Sequence, residues 1–264
     1  MENTKWALVT GASGGVGKEV AGIMSQKKWN LVLVARSADK LETLKSELAA
    51  KNGNEIKVFA CDLSKDNAAH EIFNFCESQN VKIDLLVNNA GAGLYGPSIE
   101  LGDKAIGMLK LNVLALTQLC TVFGKDMAER KSGSILNIGS IAGNQPTPFF
   151  ASYAASKSYV FNYSLALRHE LGAYGVNVTC VQPGYIRTQF DNNCGIISEK
   201  YKNFSYKNGM TAYAVAKVAV ASVLKKKAFV RAGVTNKIAA FVSGLVPRNF
   251  LAWSISKSMK SLMK

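Results

Sequence analysis

The chain has 264 residues, of which 48% are hydrophobic, and a formal net charge of +14 at pH 7. This length and composition suit one domain with a sizeable hydrophobic core, which excludes a disordered protein. The five cysteines are widely spaced and form no C-x-x-C pair, so we expect a reduced compartment, no disulfide framework and no bound metal. The charge is uneven, because residues 200–264 contain thirteen Lys or Arg and no Asp or Glu.

Six short apolar runs predict a parallel β-sheet. They are rich in Val, Ile and Leu and show no polar alternation, as strands buried on both faces do. These apolar runs alternate with helical patterns, which predicts an α/β fold in a single domain. The expected architecture is a doubly wound parallel sheet of Rossmann type with helices on both faces. The strands are predicted at residues 5–10, 31–35, 56–60, 83–88, 134–138 and 176–181. The helices are predicted near residues 15–28, 39–51, 66–79, 99–130 and 151–173.

The first strand is followed by a glycine-rich segment, T-G-A-S-G-G-V-G-K-E-V at residues 10–20. A triphosphate-binding P-loop is excluded, because Ala12 stands at its first glycine position and Glu19 at its hydroxyl position. The pattern G-x-G-x-x-G is also absent, because Val20 occupies the third glycine position. A strand, a tight turn and a helix N-terminus together favour a pyrophosphate; an ordinary glycine-rich turn is the alternative. The remaining pattern is T-G-x-x-x-G-x-G, with glycines at 11, 15 and 17.

Further motifs follow in the same order as in one known family. N-N-A-G at residues 88–91 follows the fourth predicted strand, and Asn112 lies in the next helix. Ser140 ends the fifth strand, thirteen residues before Tyr153, which opens the sequence Y-A-A-S-K. P-G at residues 183–184 follows the sixth strand. From the first strand to about residue 190, the chain resembles the short-chain dehydrogenase/reductase family.

Carbonyl reduction requires a hydride at carbon and a proton at oxygen, and Tyr153 is the candidate proton donor. Its unperturbed pKa is about 10, too high for efficient acid–base work at neutral pH. Lys157 lies one helical turn further along, so we expect its positive charge to lower the pKa of the phenol. Tyr153 would then donate in reduction and accept in oxidation. The resemblance implies that Lys157 also binds the nicotinamide ribose, that Ser140 orients the substrate oxygen and that Asn112 anchors a water in a proton relay.

The end of the second strand predicts the cofactor. It reads V-A-R-S, without the acid that binds the ribose of NAD, so Arg36 and Ser37 can bind a 2′-phosphate and NADP(H) is expected. Arg36 as a solvated charge is the alternative, and Gly14 departs from NADP-using relatives that carry a basic residue there. Asp62 resembles an adenine contact, or caps a helix. By resemblance, the cofactor contacts are Gly11, Ser13, Gly15, Val16, Gly17, Arg36, Ser37, Asp62, Leu63, Asn89, Ala90, Gly91, Tyr153, Lys157, Pro183, Gly184, Ile186 and Thr188.

The expected activity is a carbonyl reductase, reversible as an alcohol dehydrogenase, acting on a hydrophobic ketone such as a steroid or a 3-oxoacyl chain. A long irregular loop at residues 184–210 is expected over the substrate. The resemblance implies a homodimer or homotetramer formed through the helices at 99–130 and 151–173. An NADP-binding regulator or scaffold without turnover is the alternative, and no nucleic-acid partner is expected. The predicted apolar lining consists of Gly93, Leu94, Phe149, Phe150, Tyr185 and Phe190.

A basic amphipathic extension is predicted at about residues 232–264. Its final helix, after Pro247, either lies in an anionic membrane interface or packs its apolar stripe on the domain. No basic and apolar leader precedes the first strand, and apolar stretches such as 238–246 are shorter than a membrane span of about 18 residues. We therefore expect a cytoplasmic protein, free in solution or peripheral to a membrane. The stripe consists of Leu251, Ile255, Met259, Leu262 and Met263, and the lysines beside it are Lys257, Lys260 and Lys264.

Overall fold

A computed structural model describes residues 5–263 of the chain, so Lys264 lies outside the described residues. Seven of its strands form one parallel sheet, and two short strands pair separately. The strands are β1 (Trp6–Thr10), β2 (Asn30–Ala35), β3 (Ile56–Ala60), β4 (Ile83–Asn88), β5 (Gly133–Ile138), β6 (Val176–Gln182), β7 (Ile186–Arg187), β8 (Met210–Thr211) and β9 (Phe229–Arg231). The main sheet has the order β3-β2-β1-β4-β5-β6-β9, which confirms the doubly wound α/β fold.

Helices connect the strands and cover both faces of this sheet. A π-helical segment, Lys110–Ala115, joins two of them, and a 3-10 turn, Ile141–Asn144, follows β5. The helices are α1 (Gly15–Gln26), α2 (Ala38–Asn52), α3 (Ala68–Ser78), α4 (Ser98–Leu109), α5 (Leu116–Glu129), α6 (Ala151–Gly172), α7 (Phe190–Asn193), α8 (Glu199–Asn208), α9 (Ala212–Leu224), α10 (Val234–Leu245) and α11 (Arg248–Met263).

Strand β2 shows why these apolar runs form buried parallel strands. Leu31 and Leu33 pack on one face of the sheet with side chains of α1, α2 and α9. Val32 and Val34 point to the opposite face and pack with side chains of α3, α5 and α6. Because successive side chains of a strand alternate between faces, a strand covered on both sides needs apolar residues at every position.

Two predictions about the second half of the chain were incomplete. The six predicted strands omit β9, which pairs in parallel with β6 at the edge of the sheet. This strand has three residues and follows three lysines, so its apolar run is too short to be recognised as a strand. Residues 184–210 were expected to be irregular, but they include the short strand β7 and helices α7 and α8.

The sheet order places the sequence motifs at one edge. The chain order reverses between β1 and β4, and at such a position the loops after the two strands leave a crevice at their carboxyl ends. The glycine-rich segment follows β1, N-A-G follows β4, Ser140 follows β5 and Pro183 follows β6. The carboxyl ends of these four neighbouring strands therefore carry the predicted functional residues.

One helical stretch, Ser98–Glu129, is long and apolar enough by length and composition to cross a membrane, contrary to the expectation that no stretch would be. It comprises α4, the π-helical segment and α5. Its residues Leu119, Phe123 and Met127 are buried in the core against the sheet. The stretch therefore has the contacts of a core helix in this domain.

Of the two alternatives for the apolar stripe of α11, the structure contains the packed one. Met259 is buried with Phe150 and Tyr201, and Ile255 and Leu262 pack against the same cluster. The Ser198 hydroxyl donates a hydrogen bond to the Leu262 carbonyl at 2.6 Å. From Ile255 to Met263, this stripe therefore faces the domain.

Candidate active site

The glycine-rich segment is tied to the end of β4 by hydrogen bonds. Thr10 Oγ1 donates to the Val87 carbonyl at 3.1 Å and accepts from the backbone N–H groups of Asn89 at 3.0 Å and Ala90 at 3.1 Å. Asn89 Nδ2 in turn donates to the carbonyls of Thr10 at 2.9 Å and Gly11 at 3.2 Å. Asn89 thus positions the loop through its side chain. The role of Thr10 was not identified from the sequence, although it opens the glycine motif.

The glycines of this loop serve the packing of the chain on itself. A Cβ at Gly17 would collide with the Gly11 carbonyl oxygen and would lie 2.5 Å from Asn89 Nδ2. Gly11 and Gly15 have φ values of +64° and +53°, in the left-handed region that favours glycine. The expected reason, close approach of a cofactor, is thus joined by a steric requirement of the protein itself. A Cβ at Gly15 would lie 3.6 Å from the methyl group of Thr188, which brings the loop after β6 beside the glycine-rich loop.

The N-terminus of α1 has the features of an anion-binding site. Its N-cap is Gly14, no side chain caps it by a hydrogen bond, and no acidic residue lies in its first turn. The free N–H groups and the positive end of the helix dipole therefore point toward the crevice. Ser13 is half-buried in this loop, whereas Val16 is buried in the core, which leaves only its backbone for a ligand.

Two of the predicted cofactor contacts, Arg36 and Ser37, lie at the carboxyl end of β2. Arg36 is exposed directly after the strand, and Ser37 is the N-cap of α2 but makes no capping hydrogen bond with its hydroxyl. Asp62, after β3, accepts hydrogen bonds from the Ser64 N–H at 3.0 Å and hydroxyl at 2.8 Å. These bonds, with a smaller effect of the Arg36 charge, hold the pKa of Asp62 below its ordinary value. Leu63 is buried in the core, so its side chain is not available to a ligand.

Tyr153, Ser140 and Lys157 converge between β5 and α6. Lys157 Nζ donates a hydrogen bond to the Ile138 carbonyl at 3.0 Å and lies 5.9 Å from the centroid of the Tyr153 ring. The Ser140 hydroxyl accepts from the Ala142 N–H at 3.2 Å, which caps the 3-10 turn, and it also lies beside the Tyr153 phenol. The Ser140 hydroxyl therefore caps the 3-10 turn and contacts the Tyr153 phenol at the same time.

The pKa of Tyr153 differs from the sequence expectation. Burial raises it above its ordinary value, and the neighbouring Ser140 hydroxyl opposes this effect only in part. Burial also lowers the pKa of Lys157 to about 8. In this structure, the removal of water is the largest cause of both shifts, so the pKa of the phenol is not lowered as expected.

Asn112 lies in the π-helical segment, a local geometry that is frequent at functional sites. Its Oδ1 accepts from the Ala92 N–H at 2.9 Å, and its Nδ2 donates to the Ala92 carbonyl at 2.8 Å and to the Ser156 hydroxyl at 3.1 Å. Both side-chain N–H groups are therefore engaged by protein atoms. A Cβ at Gly91 would lie 3.2 Å from Asn112 Oδ1 and 3.4 Å from Lys157 Nζ. Gly91 therefore lies between Asn112 and Lys157 and in contact with both side chains.

An aromatic cluster borders the Tyr153 ring. The centroid of Phe150 lies 6.1 Å and that of Phe190 5.5 Å from the Tyr153 centroid. Tyr95 and Tyr201 extend the cluster at 5.5 Å and 6.5 Å from Phe150, and neither was identified from the sequence. Of the predicted lining, Phe149, Phe150, Tyr185 and Phe190 belong to this cluster and Leu94 does not. Gly93 is buried under it, where a Cβ would lie 2.5 Å from Cys194 Sγ and 2.6 Å from the Phe190 ring.

The predicted residues after β6 lie between the site and α10. The Pro183 carbonyl accepts a hydrogen bond from the Ile141 N–H at 2.9 Å. A Cβ at Gly184 would lie 2.6 Å from Asn236 Nδ2, a contact with α10 that no sequence pattern indicated. Ile186 pairs with Met210 in the small β7–β8 sheet. This loop is thus held from two sides.

The family assignment has a sequence basis independent of the fold. Residues 5–196 match the family model described as short chain dehydrogenase. A very-long-chain 3-oxoacyl-CoA reductase of Podospora anserina is 38% identical over 180 residues, which are 67% of this chain and 53% of that relative. The chain therefore spans about half the length of such curated relatives.

Solved structures agree with the sequence match. A short-chain dehydrogenase from Sphingobium yanoikuyae in complex with NADPH is 25% identical and has a TM-score of 0.80, with 91% of this chain and 94% of that chain covered. A bulky-bulky ketone specific alcohol dehydrogenase from Comamonas testosteroni is 27% identical and has a TM-score of 0.76, with 92% and 94% covered. The chain belongs to the short-chain dehydrogenase/reductase family of oxidoreductases.

Proposed function

We propose that this oxidoreductase is an NADPH-dependent reductase of hydrophobic ketones, and that the reaction is reversible as an alcohol dehydrogenase. The observation that carries the proposal is the convergence of Tyr153, Ser140 and Lys157 at the carboxyl edge of the sheet, beside an aromatic cluster. A proton donor, a hydroxyl and an ammonium at one point suit the reduction of a carbonyl in an apolar environment.

The residues present fit a nicotinamide dinucleotide. The uncapped N-terminus of α1 suits its pyrophosphate, and the exposed Arg36 with the free Ser37 hydroxyl suits a 2′-phosphate. Gly91 is exposed beside Lys157, whose remaining N–H groups are proposed to bind ribose hydroxyls. When bound, the reduced cofactor supplies the hydride for the carbonyl carbon. The NADPH complex of the Sphingobium relative supports this choice of cofactor.

Tyr153 is proposed to donate the proton to the carbonyl oxygen. Burial raises its pKa, so the phenol is protonated at neutral pH, as the reductive direction requires, but it is a weaker acid than an exposed tyrosine. Ser140 is proposed to donate its hydroxyl hydrogen to the same oxygen and orient it. Asn112 is proposed as a positioning residue, because its amide holds Ala92 and Ser156 in place. A relay water at Asn112 would bind an oxygen of this residue, since both its side-chain N–H groups are engaged.

The proposed substrate is a 3-oxoacyl thioester with a long acyl chain. The aromatic cluster supplies apolar contacts next to Tyr153, and relatives are named very-long-chain 3-oxoacyl-CoA reductases. The rings contact one another in this structure, so an acyl chain has to separate Phe190 from Tyr153 and Tyr201 from Phe150. Each buried methylene contributes about 0.8 kcal/mol, so we expect kcat/KM to rise with chain length until the cleft is filled.

The test is NADPH oxidation by the intact chain and by Tyr153→Phe. The substrates are 3-oxoacyl thioesters of increasing length, ketosteroids, quinones and small aldehydes. We expect turnover of the variant to fall by about 10²–10⁴-fold, because only the proton donor is removed. NADPH affinity, measured by fluorescence titration, should stay nearly unchanged.

Tyr174→Phe is the matched control, since it also removes one phenolic hydroxyl, from an exposed position outside the site. It should keep full activity. Undiminished turnover by Tyr153→Phe would contradict the proton-transfer role. NADPH binding without turnover of any substrate would instead support the regulator or scaffold.

A further inference from the structure

Helix α10 presents its apolar side to the solvent. Val234, Ile238, Phe241 and Leu245, which we call the outer stripe, are each between 60% and 72% exposed. At 100° per residue, these four side chains fall within an arc of about 60°. They form one continuous apolar stripe along the whole helix.

The opposite side of α10 is the polar one, and it faces the domain. Ser243 is buried and donates a hydrogen bond to the Ala240 carbonyl at 3.1 Å. Asn236 Nδ2 donates to the Ala232 carbonyl at 2.6 Å and lies against Gly184. A surface helix of a soluble domain ordinarily packs by its apolar side. The reversed orientation of α10 indicates that the outer stripe has a partner outside this chain.

The beginning of α11 also exposes large apolar side chains to the solvent. Phe250 and Trp253 are more than half exposed, with ring centroids 5.7 Å apart. Lys257 Nζ lies 4.0 Å from the centroid of the Trp253 ring. The other side of α11 packs on the domain through Ile255 and Met259. An aromatic pair with an adjacent ammonium therefore lies on the exposed side, only a few residues after the outer stripe.

The charges around these residues define the partner. Lys237, Arg248, Lys257 and Lys260 are exposed, and no acidic residue follows Glu199 in the sequence. A second copy of this chain that docked through the same surface would bring two such cationic segments together without carboxylates to pair them. The partner must instead carry negative charge and accept a row of aliphatic and aromatic side chains.

We propose that α10 and the beginning of α11 form a docking surface for an anionic lipid bilayer. Helices that lie in a membrane interface combine large apolar side chains on one face with flanking Lys and Arg, as here, and Trp is enriched at the headgroup level. The outer stripe enters the acyl boundary, and the flanking cations contact anionic headgroups. The stripe of α11, for which the sequence left this role open as one of two alternatives, packs on the domain from Ile255 to Met263 instead. The surface is independent of the reaction proposed above, because its test requires no turnover.

The test is co-sedimentation of the intact chain with lipid vesicles. One set contains only phosphatidylcholine, and the other contains about 30 mol % phosphatidylserine. We expect sedimentation with the anionic vesicles at low salt and release at about 1 M salt, where the Debye length is about 3 Å. Failure to sediment with anionic vesicles at low salt would overturn the proposal.

Phe241→Ser and Tyr174→Ser form a matched pair, since each removes one exposed ring and only Phe241 belongs to the outer stripe. Phe241→Ser should weaken vesicle binding about tenfold, and Tyr174→Ser should leave it unchanged. Both variants should keep the thermal unfolding midpoint of the parent. An equal loss in the two variants would overturn the proposal. Self-association or capture of an acidic protein that Phe241→Ser abolishes, without vesicle binding, would assign the surface to a protein partner and also overturn it.

Discussion

Lys157 is a buried cation whose burial lowers the stability of the fold at neutral pH. Its side chain is 6% exposed, and its pKa falls from 10.5 to about 8. Below pH 8, the folded and unfolded states both carry the charge, and the folded state bears its full desolvation cost of about 3 kcal/mol. Between pH 8 and 10.5, the unfolded state binds more protons, so this contribution to stability rises with pH. The site therefore keeps a destabilising residue that the proposed reaction uses.

We expect Lys157→Met to increase the free energy of unfolding at pH 7 by about 1–3 kcal/mol while it abolishes activity. The lower figure allows for loss of the hydrogen bond to Ile138. The gain over the wild type should shrink as the pH rises from 8 toward 10.5. Denaturant unfolding at several pH values measures this difference in the free energy of unfolding, and Lys225→Met, at an exposed position, is the control. A difference between wild type and Lys157→Met that does not change with pH would contradict the stated cause.

Arg36 determines cofactor preference if it faces a 2′-phosphate. We expect Arg36→Asp to replace attraction by repulsion and lower the ratio of kcat/KM for NADPH over NADH by about 10- to 100-fold. Lys45→Asp is the control, because Lys45 lies further along α2 and pairs with Glu42 at 3.2 Å. Steady-state rates with both cofactors measure the ratio. An unchanged ratio in Arg36→Asp would assign the phosphate to other residues.

At the scale of elements, the turn between β1 and α1 contains two glycines that packing constrains differently. Gly17 packs against the Gly11 carbonyl and Asn89, so a methyl group there has no space. Gly14 has an extended backbone with φ −178°, which any residue adopts, and no heavy atom lies within 4 Å of its Cβ position. Packing therefore requires Gly17 but not Gly14.

Gly17→Ala should therefore lower the free energy of unfolding by about 1–3 kcal/mol and weaken NADPH binding, because the loop has to shift. Gly14→Ala should change stability by less than about 0.5 kcal/mol. Denaturant midpoints and NADPH titrations on both variants provide the comparison. Equal effects at the two positions would show that the close contact at Gly17 does not control the loop.

At the scale of the whole molecule, the stretches α4–α5 and α6 carry exposed apolar side chains that suit contact with a second copy. Ile106, Leu114 and Tyr159 are exposed on these helices. We expect a homodimer or homotetramer at micromolar concentration by light scattering. Leu114→Glu should shift it toward the monomer, because a carboxylate would be buried in the interface. A monomeric wild-type chain would reject this assembly.

Much of the fold and of the candidate site between residue 5 and about residue 190 was predictable from the sequence, because the signals there are local. Strands such as β2 are buried on both faces and consist of apolar residues throughout, so composition alone marks them. Tyr153 and Lys157 lie four residues apart on one helix, so their proximity follows from helical geometry. Strand β9 was missed because it is short and at the sheet edge, and Tyr201 because α8 reaches the site only through folding.

The sequence by itself determined that α10 and α11 are amphipathic, since each has apolar residues at helical spacing. It could not determine which side of each helix faces the domain. Met259 fills a space among Phe150 and Tyr201, whereas Asn236 and Ser243 occupy the inner side of α10. Likewise, the residue types of Tyr153 and Lys157 indicated proton transfer, but their burial, and hence the direction of both pKa shifts, arises from the surrounding elements. Periodicity is a property of one segment, whereas orientation and desolvation depend on residues distant in the chain.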